Sequence, residues 1–310
     1  MTPKQNPGNP REYCGFILIN KPRGITSFKV LSPLKRYFPK HRIGHAGTLD
    51  QDARGLIIAG VGKATRLLRF VESFSKTYHF KLSFGFETDT GDACGTPLGE
   101  PLELRVQVAE IEKVLGQFTG EIAQTPPIYS ALKIQGRRAS DRARDGEQVT
   151  MHTRKIQIYS LTIDSDQPQA HENIFAMVCT CSKGTYIRSL GRDIARSLNH
   201  RAHVFDINRV ATGSLKIEDS VSPNSDINYQ EHLLSPQKIF TDYNIYHVSD
   251  DVLKRLRQGL MQAVHRHGLQ LNSGVGVPFF IADNLGGVAL VAEANQDGDI
   301  IPKIQLNSVA

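Results

Sequence analysis

The stretch Tyr78-His79-Phe80-Lys81-Leu82-Ser83-Phe84 constrains the fold more than any other part of this chain. Tyr78, Phe80, Leu82, Phe84 and Phe86 recur at every second position, with His79, Lys81 and Ser83 between them. Successive side chains of a strand point to opposite faces, so this alternation specifies a strand with one apolar and one polar face. Residues 16–19, 56–59, 155–163, 175–181, 203–210, 278–282 and 288–293 read as further strands.

Helical spacing predicts the intervening helices. Phe28, Leu31, Leu34 and Phe38 form one apolar stripe, with Thr26 as N-cap and a kink or restart at Pro33. Ala64, Leu67, Leu68 and Val71 form a second stripe, beginning near Lys63. Val108, Ile111, Leu115 and Phe118 form a third, closed by Gly120. Ile187, Leu190, Ile194 and Leu198 form a fourth, capped by Thr185, and a short helix is predicted at 251–259. Strands and helices mix without a steady βαβ rhythm, which favours α+β over a doubly wound sheet.

A chain of 310 residues accommodates about two domains. The polar stretch 221–246, with two prolines, is the candidate linker, and a small β-rich module follows it. Residues 125–153 are rich in charge and lack an apolar stripe, as expected of an excursion from the core. No apolar run approaches the roughly 20 residues of a membrane span. The first 12 residues lack a signal-peptide core and read as a disordered lead-in, so a cytoplasmic location is expected. Four cysteines without a CxxC pair give no zinc knuckle, and Cys179 and Cys181 read as core packing on one strand face. The net charge of +6 suits a polyanionic partner. Basic residues gather in three groups, around Lys35 to Arg42, Lys133 to Arg144, and Lys254 to Arg266.

Gly60-Val61-Gly62-Lys63-Ala64-Thr65 superficially suggests a phosphate-binding loop, but Ile57 and Ala64 stand where the pattern needs Gly and Ser or Thr. It reads instead as a strand-to-helix turn. No GxSxG or HExxH occurs. Gly44-His45-Ala46-Gly47-Thr48-Leu49-Asp50 is the densest polar and glycine-rich stretch, and reads as a glycine-bounded loop presenting an imidazole and a carboxylate. By spacing alone it serves equally as a capped turn with Asp50 accepting locally. By themselves, Tyr78 reads more readily as a core aromatic and Arg188 as a solvated helix residue. The residues by themselves do not tie Asp50, Tyr78 and Arg188 into one site.

Five blocks, the Gly44 to Asp50 stretch among them, carry a resemblance. Gly15-Phe16-Ile17-Leu18-Ile19-Asn20-Lys21-Pro22 with Gly24-Ile25-Thr26-Ser27 is similar to the opening of the TruB family, tRNA pseudouridine synthases acting on uridine 55. The Gly44 to Asp50 stretch resembles the catalytic motif of that family. Lys76-Thr77-Tyr78 with Thr88-Asp89-Thr90-Gly91-Asp92, then Pro126 to Lys133, then Cys181 to Arg188, follow in the family's order across residues 15–210. The sequence departs from the usual pattern at Gln51-Asp52-Ala53-Arg54-Gly55, at Ser140 and at Ile207-Asn208-Arg209.

The resemblance implies a mixed, largely antiparallel synthase core at 13–245, with an RNA-binding insertion at about 125–153. It also implies, more weakly, a β-rich PUA-like domain at 246–310. Asp50 would be the nucleophile, Tyr78 would stack on the target base and could accept its C5 proton, and Arg188 would pair with Asp50. His45 would take the place of the displaced base, with Lys21 and Tyr186 near the site. Lys133, Arg137, Arg138 and Arg142 would grip the RNA. The implied reaction breaks the N-glycosidic bond and rejoins C1′ to C5, so neither cofactor nor metal is expected. The implied partner is the TΨC stem-loop of tRNA, with a monomer and no obligate protein partner expected. Two rivals are a non-catalytic RNA-binding protein on the same fold and a guide-RNA-dependent synthase. The intact Asp50, Tyr78 and Arg188 oppose the first; the charged insertion and short C-terminal module oppose the second.

Overall fold

The computed structural model describes residues 13–166, 171–263, 277–283 and 287–306. The chain opens with β1 (Gly15–Lys21) and α1 (Ser32–Tyr37), followed by β2 (Ile43–Ala46), β3 (Arg54–Val61), α2 (Leu68–Val71) and β4 (Lys76–Phe84). Next come α3 (Val108–Leu115) and β5 (Gly120–Gln124). The insertion holds β6 (Lys133–Ile134), β7 (Arg137–Arg138) and α4 (Ala139–Arg144). The core resumes with β8 (Arg154–Ile163), β9 (Ile174–Cys181), α5 (Ile187–Ser197), β10 (Ala202–Thr212) and β11 (Leu215–Lys216).

One nine-stranded sheet runs β1-β3-β10-β4-β9-β8-β5, with β2 on β3 and β11 on β10. The β10–β3 pairing is parallel and the others in this sheet are antiparallel, the mixed, largely antiparallel sheet expected of an α+β chain. Tyr78, Phe80, Leu82 and Phe84 are all buried on one face of β4, as their alternation requires. They pack in a core with Leu190 and Ile194 of α5 and Ile111 of α3. Strands β1 and β3 are buried on both faces. Ile17, Ile19, Ile57 and Ala59 face that core, while Phe16, Leu18, Leu56 and Ile58 face a second.

Several local expectations change. Residues 43–46 form a strand rather than a loop, because β3 offers a free edge to which Gly44 and His45 pair opposite Gly60 and Ala59. The expected restart at Pro33 is present: a 3₁₀ turn at 29–31 gives way to α1, and Pro33 takes a first-turn position where its missing N–H costs nothing. Phe28 leaves the buried stripe of Leu31, Leu34 and Phe38 and is 68% exposed. Gly120 opens β5 rather than closing α3, since a one-turn 3₁₀ segment intervenes. Thr185 does not cap α5; Tyr186 stands at the N-cap, and its N–H donates to Gln124 Oε1 at 2.8 Å.

Residues 221–246 pack on the nine-stranded sheet. Val221 bridges Ile19, Leu234 bridges Phe16, and Tyr229 is fully buried. This stretch includes α6 (Pro236–Ile239) and enters β12 (Ile245–His247). Then α7 (Asp250–Arg257), β13 (Gln262–Ala263), β14 (Phe279–Ala282), β15 (Val288–Ala294) and β16 (Asp299–Gln305) complete a β-rich C-terminal domain. Its five-stranded sheet has the order β12-β14-β15-β16-β13.

Candidate active site

Asp50 follows β2 through a glycine turn, and its loop is clamped from both sides. On the preceding side, Ser27 Oγ donates to the Leu49 carbonyl at 2.9 Å and accepts from the Leu49 N–H at 2.8 Å. Arg209 Nη2 donates to the Gly47 carbonyl at 2.8 Å, and Nε to the Leu56 carbonyl at 2.7 Å. Gly47 needs its positive φ of 68°, and a Cβ there would lie 3.0 Å from Arg209 Nη1. On the following side, the buried Lys21 ammonium donates to the carbonyls of Pro22, Gln51 and Ala53. Burial pulls the Lys21 pKa down to about 8, against the pull of Asp50 and Asp52 upward.

The carboxylate opens onto a cleft of about 580 Å³, which Tyr78, Lys76, Leu132, Tyr186 and Arg209 also line. Arg188, 4% exposed, comes from the first turn of α5, and its Nε lies 2.8 Å from Asp50 Oδ2. Its other nitrogens are fixed elsewhere: Nη1 donates to the Thr90 carbonyl at 2.8 Å and sits 3.5 Å from Asp92 Oδ2, while Nη2 donates to the Tyr129 carbonyl at 2.9 Å. The guanidinium is thus locked by three backbone and side-chain anchors and can point only one edge at Asp50. Desolvation by surrounding protein pushes the Asp50 pKa up, Arg188 opposes it, and Asp92 adds to it. Yet 44% of the Asp50 side chain remains open to water. The solvated carboxylate is ionised beside its guanidinium.

Tyr78 is buried on β4, cross-strand from Arg209 on β10 and Cys179 on β9. Burial raises its pKa, with Arg209 opposing, so the phenol is neutral. Tyr186 is held by a reciprocal pair with Gln124: its N–H donates to Oε1, and its carbonyl accepts from Nε2 at 3.1 Å. The Arg154 guanidinium lies over its ring.

Of the residues expected at the site, Asp50, Tyr78, Arg188, Lys21 and Tyr186 come together. His45 sits on β2 opposite Ala59 and is not among the residues lining the cleft; desolvation lowers its pKa. Lys133, Arg137, Arg138 and Arg142 belong to the insertion. Arg137 is paired with Asp145 and Glu147, and Arg142 with Glu147 at 2.6 Å, whereas Lys133 and Arg138 stand exposed. Four positioning side chains had no role from the sequence: Ser27, Asp92, Gln124 and Arg209. Ser27 acts on Leu49, Asp92 on Arg188, Gln124 on Tyr186 and Arg209 on Gly47, partners that only the folded chain brings together. Among the described residues, no three His, Cys, Asp or Glu side chains gather as a metal site.

A family model described as "TruB family pseudouridylate synthase (N terminal domain)" matches residues 35–187. A tRNA pseudouridine synthase B from Zymomonas mobilis subsp. mobilis is 39% identical over 256 residues, covering 79% of this chain and 83% of the relative. The chain belongs to the TruB family. It is accordingly a pseudouridylate synthase, an isomerase. A TruB relative from Geobacillus kaustophilus, also a tRNA pseudouridine synthase B, is 35% identical, covering 80% of this chain and 90% of its own. The fold matches a solved Cbf5-Nop10-Gar1 complex with a TM-score of 0.71 at 20% identity, over 98% of this chain and 90% of that one.

Proposed function

We propose that this enzyme isomerises uridine to pseudouridine at position 55 in the TΨC loop of tRNA, with Asp50 as nucleophile. The observation that carries the reading is the 2.8 Å Asp50–Arg188 ion pair on a cleft also lined by Tyr78 and Tyr186. The tRNA substrate is inferred from the name shared by relatives at 35–39% identity. The guide-RNA reading has only the 20% likeness to Cbf5 behind it, so a stand-alone tRNA enzyme is favoured.

The reaction breaks C1′–N1, turns the uracil, joins C1′ to C5, and moves a proton from C5 so that N1 ends protonated. No electrons are gained or lost. A carboxylate is suited to attack C1′ or C6, and an anchored guanidinium keeps it anionic without leaving its place. The target base must leave its stack, at a cost of a few kcal/mol. The Tyr78 ring offsets part of that by stacking. Because its phenol is neutral in the free protein, stacking and hydrogen-bond donation are its resting roles. Acceptance of the C5 proton requires the phenolate, which the adjacent Arg209 cation would stabilise.

Tritium release from unmodified tRNA labelled at uracil C5, with the purified chain and no other macromolecule, tests this. Wild type should release tritium. Asp50→Asn should release none, while its tRNA Kd stays within about tenfold of wild type. Substantial release by the variant would remove Asp50 from the chemistry, and none by wild type alone would remove the stand-alone reading.

A further inference from the structure

The helical segment from Phe28 to Lys40 buries Val30, Leu31, Leu34 and Phe38 and turns its other side to solvent. That outer side has two properties that do not belong to a merely solvated face. Phe28 is the most exposed large apolar side chain among the described residues, at 68%. Lys35, seven residues on and therefore on the same helical face, holds its Nζ 3.5 Å from the Phe28 ring centroid. Lys29, Arg36 and Lys40 are exposed on the same segment and Arg42 follows it, and among the described residues neither these nor Lys35 forms an ion pair. The insertion provides the contrast: there Arg137 and Arg142 are neutralised by Asp145 and Glu147.

This face is also mechanically joined to the reacting groups. Phe28 directly follows Ser27, whose hydroxyl makes both hydrogen bonds to Leu49, the residue before Asp50. Thr26 Oγ1 accepts from the Lys29 N–H at 3.1 Å, fixing the start of the segment. Gly24 and Gln51 exchange a backbone and a side-chain hydrogen bond as well. The segment that carries Phe28 is therefore firmly tied to the loop that carries Asp50.

We infer that the outer face of residues 28–42 is a second RNA-contact surface, resting on the function proposed above. The Phe28 ring stacks on an unpaired base of the tRNA outside the cleft, and Lys29, Lys35, Arg36 and Lys40 take the flanking phosphates. An exposed aromatic on a segment rich in uncompensated cations is the combination that single-stranded nucleic acid fits: the ring accepts a base face, and the cations track the backbone. Phe28 contributes affinity without touching the reacting atoms.

The test compares wild type, Phe28→Ala, Phe28→Tyr and the triple variant Lys29→Ala, Arg36→Ala, Lys40→Ala. Each is bound to full-length unmodified tRNA and to its isolated TΨC hairpin at several salt concentrations, and single-turnover isomerisation is measured at saturating tRNA. All four substituted side chains are exposed, and circular dichroism melts check that the variants fold alike. Phe28→Ala should raise the tRNA Kd about tenfold with an unchanged salt slope, Phe28→Tyr should bind as wild type, and saturating rates should hold. The triple variant should flatten the slope by about two log units per log salt. Weakening confined to full-length tRNA puts the stacked base outside the hairpin, and weakening of both puts it inside; either supports the surface. Phe28→Ala binding both RNAs within twofold of wild type overturns it, as does a change seen only in self-association by sedimentation. Because wild-type turnover is measured alongside, loss of this surface and loss of the proposed reaction give different results.

Discussion

Lys21 shows how a single buried charge can set the working range of the site. Its ammonium has three protons and meets three carbonyls, those of Pro22, Gln51 and Ala53, so deprotonation leaves one carbonyl without its donor and removes a cation near Asp50. With a folded pKa of about 8, that loss begins within the assay range. The expected outcome is a single-turnover rate that falls as pH rises through about 8. Thermodynamic linkage separates this from unfolding. The folded pKa lies below the unfolded value of 10.5, so between the two the unfolded chain holds more protons and this group makes stability rise with pH. Melting temperature and rate should therefore part company above pH 8. Lys76 shares the value of about 8 and lines the cleft, so the assignment rests on Lys21→Met, whose lower rate should lose the alkaline fall, while Lys76→Gln should keep it. A rate independent of pH between about 7 and 9 in wild type would refute the clamp. From sequence, Lys21 was legible only as a motif lysine near the site. Its three acceptors lie on its own chain up to 32 residues away, and no local pattern encodes them.

At the scale of elements, the alternation in β4 was legible because burial of one face imposes a period of two on any sequence that fills it. Helix α5 was legible as an apolar stripe, but the residue that seats it was not. Gly191 faces β10, and a Cβ there would lie 2.3 Å from Val204 Cγ1 and 3.0 Å from Leu82 Cδ1. Propensity alone favours Ala over Gly in a helix interior by about 1 kcal/mol. Overpacking a core contact costs about 1–3 kcal/mol, and here the obstruction is a β-branched side chain on a central strand, so packing wins. Gly191→Ala should lower the melting temperature by several degrees, and, by lifting the helix that carries Arg188, should slow single-turnover isomerisation at saturating tRNA. A higher melting temperature with unchanged rate would show that propensity governs this position. Residues 43–46 failed for a complementary reason. Ile43-Gly44-His45-Ala46 has no alternation, and it becomes a strand only because β3 presents an edge to pair with.

For the whole molecule, the polarity of residues 221–246 misled the sequence reading, because the few apolar side chains there decide the packing. Phe240 is the hub: its ring lies 5.8 Å from Phe16 on β1, 5.7 Å from Phe74 and 4.9 Å from Phe280 on β14. The same cluster continues through Leu18 and Ile58 of the catalytic sheet to Val291 and Ile304 of the C-terminal one. We propose that residues 246–310 add a further RNA-contact domain to the synthase core, while the apolar cluster folds across the boundary at residue 245. A chain cut there would strip Phe280 from the rings of Phe240 and Tyr243, 4.9 and 5.5 Å away, and remove Val288, Val291, Ile304 and Leu306 from the shared cluster. Each uncovered large side chain forfeits about 1.5–3 kcal/mol of burial, and several together rival the 5–15 kcal/mol that holds a domain folded. Residues 1–245 alone should therefore melt well below the full chain and bind a hydrophobic dye before melting, and the full chain should show one calorimetric transition. Phe240→Ala should lower that single transition without splitting it, by the roughly 3–5 kcal/mol typical of deleting a buried aromatic. Two separate transitions in the full chain, with the first 245 residues melting at the temperature of one of them, would mean that the cluster is a contact between independent domains rather than a shared core.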